Sequence, residues 1–251
     1  PDLDGRFLGE TVTPRRWDGS KLINIGFLAS PSLLAARLLH YWQSGVVRLW
    51  IPFYEESGID AHDVSKYGNN GTISGASWVA GKIGKALSFD GENDYVKILS
   101  TLGVGTANVT ILCWVNLDSV LEHGLFVKVG DRLTGYGLCV GDGGTATEDG
   151  NKLIGLYEQV RWILTGTSIG TGWHFICMTI DSNGVPSLYL DGVFIGSYPG
   201  TPPISPSTAT TIGGDPDRLY VCVDALIDEV HVYNRALTAD EILALYNLTN
   251  I

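Results

Sequence analysis

The side chains that most often catalyse reactions are scattered along this sequence. Its five histidines form no His-Glu-x-x-His pair, and no serine lies in a Gly-x-Ser-x-Gly elbow. Asp228 and Glu229 are adjacent acids in a segment with the alternation of a strand. Neighbouring strand residues point to opposite faces, so we expect these two carboxylates not to act as a pair. The sequence therefore predicts a protein that is not an enzyme.

Charge and composition exclude several classes of partner. The chain has 251 residues and a net charge of −11, whereas residues 1–50 carry six basic and four acidic residues. The remainder therefore carries −13, which argues against a nucleic-acid partner. No apolar run reaches the roughly 18 residues that a membrane span needs, and no secretory signal is visible in this chain. The glycine-rich segment 141–150 is acidic and is not followed by a helical pattern, so it predicts no phosphate site.

Four cysteines lie in separate apolar, strand-like runs, at positions Cys113, Cys139, Cys177 and Cys222. None forms a Cys-x-x-Cys pair, so the spacing does not indicate a zinc site. Two alternatives stay open. The residues are either buried free thiols, which behave as small apolar side chains, or they form two disulfides in an exported protein.

Residues 1–44 form an arm that is distinct from the rest of the chain. Ser30 and Pro31 are a favourable N-cap and first residue of a helix, and Gly45 follows its end. One broad face of this helix is apolar, comprising Leu33, Leu34, Leu38, Tyr41 and Trp42. Such a helix must pack on the body or on another chain, and we interpret the arm as a docking or assembly segment.

From residue 45 onward the pattern changes to short strands separated by turns. The turn segments Asp181–Gly184 and Asp191–Gly192 are typical of hairpins. About a dozen such strands predict a two-sheet sandwich over residues 45–251.

The closing segment, residues 225–247, combines a strand and a helix. Leu226, Val230 and Val232 alternate with polar residues as in a half-buried strand. Thr238 and Glu241 have the spacing of a capping box, which starts a short helix. The apolar face of this helix is predicted to contain Ile242, Leu243, Leu245 and Tyr246.

Several ordered motifs resemble the laminin-G-like, concanavalin-A-like jelly rolls, the pentraxin-type lectin/glucanase superfamily. The early loop matches the family pattern Asp-x-Ser-x-x-Gly-Asn-x-Gly, and residues 81–96 and 225–247 match two later signatures. The matched loop positions are Asp63, Ser65, Gly68, Asn69 and Gly71. The resemblance covers roughly residues 45–250. It implies an all-β, two-sheet antiparallel jelly-roll sandwich, with an N-terminal arm containing one helix and a short C-terminal helix.

The resemblance also implies candidate sites. Proteins of this family frequently hold a structural calcium ion at positions that correspond to Asp63 and Asp228, and carboxylates are ligands that calcium prefers. The alternative is that Asp63 caps its own turn and Asp228 accepts backbone hydrogen bonds. Sugar binding needs accessible aromatic planes, and the strands that resemble the family's concave sheet offer Tyr136, Tyr157 and Trp162. The Glu-x-Asp-x-x-Glu run of related glycosidases is missing from the sequence.

Three functions are consistent with these features. The first is an extracellular or virion-surface recognition module that binds glycan or protein and is attached through residues 1–44 to itself or to a neighbouring structural protein. The second is a capsid decoration protein of a phage-like particle, without a glycan ligand. The third, an accessory domain of a glycoside hydrolase, is disfavoured because no catalytic partner accompanies it.

Overall fold

The computed structural model describes residues 15–17, 22–24, 45–120, 122–130, 134–142, 150–157, 161–198, 205–206, 209–217 and 221–250. For residues 15–17, 22–24, 157 and 161–165 only the backbone is described. These ranges contain the following strands and helix: β1 (Arg15–Trp17), β2 (Leu22–Asn24), β3 (Val47–Ile51), β4 (Asp60–Ala61), β5 (Gly71–Ser74), β6 (Ser77–Ala80), β7 (Lys85–Asp90), β8 (Tyr95–Ile98), β9 (Val109–Leu117), β10 (Gly124–Val129), β11 (Tyr136–Gly141), β12 (Lys152–Tyr157), β13 (Arg161–Ser168), β14 (Gly172–Ile180), β15 (Pro186–Leu190), β16 (Val193–Ser197), β17 (Thr210–Ile212), β18 (Asp224–Tyr233) and α1 (Ala239–Thr249).

The strands form two large antiparallel sheets and one small hairpin. Sheet I has the order β13-β12-β11-β10-β17-β8-β5-β4. Sheet II has the order β16-β15-β14-β9-β18-β7-β6, and β3 pairs with β18 beside this path. The hairpin consists of β1 and β2. The predicted all-β, two-sheet antiparallel sandwich is therefore confirmed.

The core lies between the inner faces of the two sheets. On β9, Ile111, Cys113 and Val115 belong to this core and are fully buried, whereas Leu112 and Trp114 face the other side of the sheet. This is the period of two that a strand requires. Each fully buried Ile, Leu or Phe stabilises the folded state by about 2 kcal/mol.

A second apolar cluster covers the outer face of sheet II, and α1 is part of it. Ile242 and Leu245 of the helix are buried there together with Trp114 of β9. The indole of Trp114 stacks on Tyr246 at a centroid distance of 5.7 Å, and its Nε1 donates to Thr249 Oγ1 at 2.9 Å. The helix thus closes the outer side of the sandwich as a third layer.

The start of α1 confirms the predicted capping box. Thr238 Oγ1 accepts a hydrogen bond from Glu241 N at 3.4 Å, and Thr238 N donates to Glu241 Oε2 at 2.9 Å. The predicted apolar face is wrong for one residue. Leu243 is 43% exposed, because it lies at the margin of the face that packs on sheet II.

The four cysteines are free and buried, so the thiol alternative describes this structure. Burial raises the pKa of Cys222 to about 11, and burial also raises the pKa of Cys113 and Cys177. All three thiols are therefore protonated at neutral pH.

The predicted arm helix and its assembly residues Leu33, Leu34, Leu38, Tyr41 and Trp42 lie outside the described residues. Of the arm, the described part is the hairpin of β1 and β2. In the described part of the chain, no helix combines the length and apolar character needed to cross a bilayer.

Candidate functional site

A β-bulge in the closing strand brings Asp228 and Glu229 to the same face of sheet II. Asp228 pairs with Trp114 and His231 pairs with Leu112, so three steps along β18 lie opposite two steps along β9. Glu229 takes a φ of 50°, the left-handed conformation that absorbs the extra residue. The prediction that the two acids point to opposite faces is therefore wrong, because it assumed an uninterrupted alternation.

The same bulge changes which residues of β18 enter the core. Before the bulge Ala225 and Ile227 face the core, and after it Val230 and Val232 do so. Leu226, predicted to share a face with the two valines, is only partly buried and lies on the opposite side from Ile227. The single inserted residue reverses the phase of the strand.

Glu229 is the centre of a buried hydrogen-bond network on the outer face of sheet II. Its Oε2 accepts from Trp50 Nε1 at 2.8 Å and lies 3.1 Å from His231 Nε2, and its Oε1 accepts from Tyr54 OH at 3.1 Å. His231 Nδ1 lies 3.2 Å from Tyr233 OH. Burial raises the pKa of Tyr233, which keeps its hydroxyl protonated and able to donate to His231.

Aromatic stacking holds this network together. The rings of Trp50 and His231 stack at a centroid distance of 5.1 Å, and those of His231 and Tyr233 at 5.9 Å. Trp50 belongs to β3 and the two other rings to β18. The network therefore joins β3, the first strand of the body, to β18, its last. Trp50 and His231 are partners in this pairing although they are 181 positions apart in the sequence.

Asp228 is fully buried beside this network. Its Oδ2 accepts from Ile83 N at 2.9 Å and its Oδ1 from Glu229 N at 2.7 Å. Burial, and then repulsion from Glu229, raise the pKa of Asp228 to about 8, although the backbone N–H groups around it favour the charged form. Gly81 is required nearby, because a Cβ there would come within 2.7 Å of Asp228 Oδ2.

Asp63, the other predicted calcium ligand, caps its own loop. Its Oδ1 accepts from Trp50 N and Ser65 N, both at 2.9 Å. Its Oδ2 accepts from Ser65 Oγ at 2.8 Å and Asn69 N at 2.7 Å. These are the contacts expected of a turn-capping carboxylate.

The contacts of Asp63 and Asp228 fit hydrogen-bonding roles better than a shared calcium site. Each carboxylate has its own set of N–H or O–H donors, and no group of three or more His, Cys, Asp and Glu that could hold a metal occurs among the described residues. Calcium binding at this pair stays a prediction, and chelation tests it.

Of the three aromatic residues predicted to bind sugar, only Tyr136 has a side chain that the structure describes. Tyr136 is fully buried in the core, and its hydroxyl donates to Gly105 O at 2.7 Å. That prediction is wrong for Tyr136, because a ring inside the core cannot stack on a sugar. Tyr157 lies opposite Tyr136 in the register and Trp162 lies opposite Leu156, and the side chains of both lie outside the described part of the structure.

Sequence reasoning missed the whole network around Glu229. One signal was available: two consecutive acids interrupt the apolar alternation of residues 225–233. The partners Trp50, Tyr54 and Tyr233 carry no such signal, since they are apolar or aromatic residues in ordinary strand patterns.

Two antiparallel sheets packed face to face, closed on one side by a capped helix, define a jelly-roll β-sandwich. The chain belongs to the family described as the Concanavalin A-like lectin/glucanases superfamily, of laminin G type, whose model matches residues 90–243. The strands that precede this match, β3 to β7, are integral members of the two sheets, as the resemblance from residue 45 onward implied.

Solved structures with the same fold include binding domains and larger enzymes. The binding domain of Paraclostridial Mosquitocidal Protein 1 is 18% identical, with a TM-score of 0.63, 81% of this chain covered and 52% of that one. Domain 4 of AbnA, a GH43 extracellular arabinanase from Geobacillus stearothermophilus, in complex with arabinotriose, is 21% identical, with a TM-score of 0.62, 80% of this chain covered and 98% of that one. Trypanosoma rangeli sialidase is 17% identical, with a TM-score of 0.59, 80% of this chain covered and 32% of that one.

The chain thus spans about half of the mosquitocidal domain and about a third of the sialidase, but nearly all of the arabinanase domain. These identities show a shared fold. No curated protein matches the sequence. The chain is a concanavalin-A-like domain, and it shares its fold with a binding domain and with an arabinanase domain solved in complex with arabinotriose.

Proposed function

We propose that this protein is a non-enzymatic recognition module that binds a glycan and is displayed on a larger assembly through residues 1–44. The observation that supports glycan binding most directly is the match over 98% of an arabinanase domain whose structure holds arabinotriose. That domain is one of the domains of an enzyme, and the match covers 80% of this chain. Because residues 51–251 carry a net charge of −13, a neutral ligand is favoured over an anionic one.

The adjacent acids Asp228 and Glu229 support a role without catalysis. Glycoside hydrolysis needs two carboxyl groups about 5 to 10 Å apart that both reach the substrate. Asp228 and Glu229 are the adjacent acids that the bulge brings to one face, yet they are 0% and 3% exposed. Both are also committed to hydrogen bonds within the chain. A substrate has no access to either group in this arrangement.

A glycan array probed with the full chain tests the proposal. We expect signal on a restricted set of neutral glycans, and no signal with an unrelated acidic β-sandwich carrying the same label. An array without signal above that control contradicts glycan recognition.

The second candidate is a structural subunit, such as a capsid decoration protein, without a glycan ligand. It is favoured by the arm, because residues 1–50 are net basic whereas the remainder carries −13. Opposite charges on arm and body suit docking between neighbouring copies or onto another structural protein.

Mass measurement of the full chain by light scattering tests this candidate. We expect an oligomer that dissociates when Leu34→Glu and Leu38→Glu together introduce charge into the predicted apolar face of the arm. The matched control is Leu243→Glu, which changes an exposed leucine of α1. A monomeric wild-type chain contradicts self-assembly through the arm.

A further inference from the structure

Both large sheets end in a free edge on the same side of the sandwich. β13 is the last strand of sheet I and β16 the last strand of sheet II, and each of them pairs with a described strand on one side only. The two edge strands also contact each other. We call this side, formed by β13 and β16, the open side. An edge strand presents backbone N–H and C=O groups with which a further strand can pair.

Two large apolar side chains of β16 are exposed on the open side. Val193 is 62% exposed and Phe194 is 52% exposed. The ring of Phe194 meets that of Tyr189 on β15 edge to face, at a centroid distance of 5.6 Å, and Tyr189 is buried. The Phe194 ring is therefore positioned by its own sheet while half of its surface faces water. Aromatic side chains held in this way are typical of the centre of a protein interface.

The open side has very little charge. Residues 182–214, which include all of β16, contain one charged residue, Asp191, whereas 17% of the whole chain is charged. β13 contributes Arg161 alone. The carboxylate of Asp191 is engaged within the chain, because it lies 2.8 Å from His174 Nδ1 and accepts a hydrogen bond from Phe175 N at 2.9 Å. Natural edge strands are commonly protected by charged side chains or proline, and the sequence of β16 contains neither.

The opposite side of the sandwich has such protection. β4, at the other end of sheet I, has only two residues and begins with the charged Asp60. β6, at the other end of sheet II, contacts the loop that precedes β4, because Trp78 Nε1 donates to Gly58 O at 3.0 Å. The same loop carries Glu55 and Glu56. Short edge strands, covering loops and charges all discourage pairing with a second molecule, so the open side is the better suited to contact.

These features favour a second copy of this chain as the partner. Each chain carries a net charge of −11, so two copies repel each other least where charge is sparse, as it is on the open side. The natural partner of a free strand edge is another strand edge. A twofold axis beside β16 places this strand antiparallel to β16 of the second copy, so that the same contact is made twice.

The contact is short, which limits its strength. β16 has five residues, and a bulge interrupts its pairing with β15 between Phe194 and Gly196. A bulge bends an edge strand and shortens the stretch over which it can pair. The contact is therefore smaller than the roughly 800 Å² per partner of a standard interface, and we expect a Kd on the order of 100 µM.

We propose that the open side is a self-association surface through which two copies of this chain form a dimer, with Phe194 at its centre. The surface does not include residues 1–44, so this inference goes beyond the proposed function. A dimer carries every binding site twice, which strengthens its attachment to a ligand that is itself repeated.

Sedimentation velocity of the full chain between about 5 µM and about 500 µM tests the dimer. We expect the mean mass to rise with concentration from 27.0 kDa towards twice that value. Phe194→Lys should raise the Kd at least roughly tenfold, because it places a charge at the centre of the contact, whereas Phe194→Tyr keeps the ring and should retain the dimer. The matched control is Leu99→Lys, which changes an 83% exposed leucine directly after β8 and should leave the Kd unchanged. A wild-type chain that stays monomeric throughout overturns the proposal.

Thermal unfolding checks that the variants are folded. Phe194 is half exposed, so Phe194→Lys should have nearly the Tm of the wild type. If it unfolds instead, Val193→Lys introduces the same charge at the neighbouring exposed position of β16. A folded lysine variant that dimerises as well as the wild type overturns the open side as the interface.

Salt distinguishes this dimer from association through the arm. Salt screens the repulsion between two acidic chains, so a dimer through the open side should become tighter between about 0.05 M and about 0.5 M sodium chloride. Docking of the basic arm on an acidic body should become weaker over the same range. A dimer that weakens with salt, or that Leu34→Glu with Leu38→Glu dissociates while Phe194→Lys does not, overturns the open side. The glycan array tests the proposed function independently of these outcomes.

Discussion

Asp228→Asn should flatten the pH dependence of the free energy of unfolding between pH 5 and pH 7. In the folded chain burial and repulsion from Glu229 hold the pKa of Asp228 at about 8, whereas an unfolded chain has the ordinary value of 3.8. Between these values the folded state keeps a proton that the unfolded state releases. The stabilising contribution is therefore complete below the unfolded pKa and is lost as the pH rises towards 8.

The size of the effect follows from the one proton involved. In the window from pH 5 to pH 7, Asp228 is protonated when folded and ionised when unfolded, so its contribution falls by about 1.4 kcal/mol per pH unit. Over two units the wild-type chain loses about 2.7 kcal/mol through this group alone. Asparagine does not titrate, so the variant lacks this component at every pH.

Urea unfolding at pH 5, 6 and 7 measures the difference between the two chains. The asparagine side chain accepts fewer hydrogen bonds from Ile83 N and Glu229 N than the carboxyl group does, which lowers the free energy of unfolding by the same amount at every pH. Comparing the slopes of the free energy of unfolding against pH removes this constant difference. Asp181→Asn is the control. Backbone hydrogen bonds, of which the one from Val185 N has the largest effect, lower the pKa of Asp181 in the folded chain. Asp181 is therefore ionised in both the folded and the unfolded chain throughout this window. Its profile should run parallel to that of the wild type. Parallel profiles for the wild type and Asp228→Asn would refute the reasoning.

Three further predictions concern α1, the cysteines and calcium. Thr238→Ala should lower the free energy of unfolding by about 1 kcal/mol in urea titration, because Glu241 N loses its acceptor; an unchanged midpoint contradicts the cap. The four buried thiols should not react with a thiol reagent in the native chain and should all react after unfolding, as counted by absorbance; fast native reaction contradicts their burial. If Asp63 and Asp228 hold calcium, chelation should lower the Tm and added calcium should restore it, and an unchanged Tm excludes a structural ion.

The network around Glu229 has a structural consequence. Strands β3 and β18 are adjacent in sheet II although they come from opposite ends of the body. Closing so long a loop costs conformational entropy, and the pairing must be stabilised by contacts made only in the folded chain. Glu229 supplies such contacts through Trp50 and Tyr54. The two oxygens of one carboxyl group can accept several hydrogen bonds at once, so a single side chain joins both partners.

Local sequence determined much of this protein. The capping box at Thr238 and Glu241, the turn at Asp181–Gly184 and the cap of the early loop by Asp63 depend on residues only two to six positions apart, and each has the expected contacts. The alternation of the strands, together with the family motifs, was enough to predict a two-sheet sandwich. Short-range hydrogen bonds and binary patterns are readable from a sequence because they need no knowledge of distant strands.

Tertiary structure decided the candidate sites. The bulge at Glu229 is set by pairing with β9, more than 100 positions earlier, and it changed the faces of Asp228 and Leu226. Tyr136 is a strand aromatic by its pattern, and only the packing of the sheets shows that it is buried. Lys97 and Thr211 are neighbours solely because β8 pairs with β17. Cross-strand partners are chosen by the global packing of the chain, so a single sequence does not specify which polar residues meet.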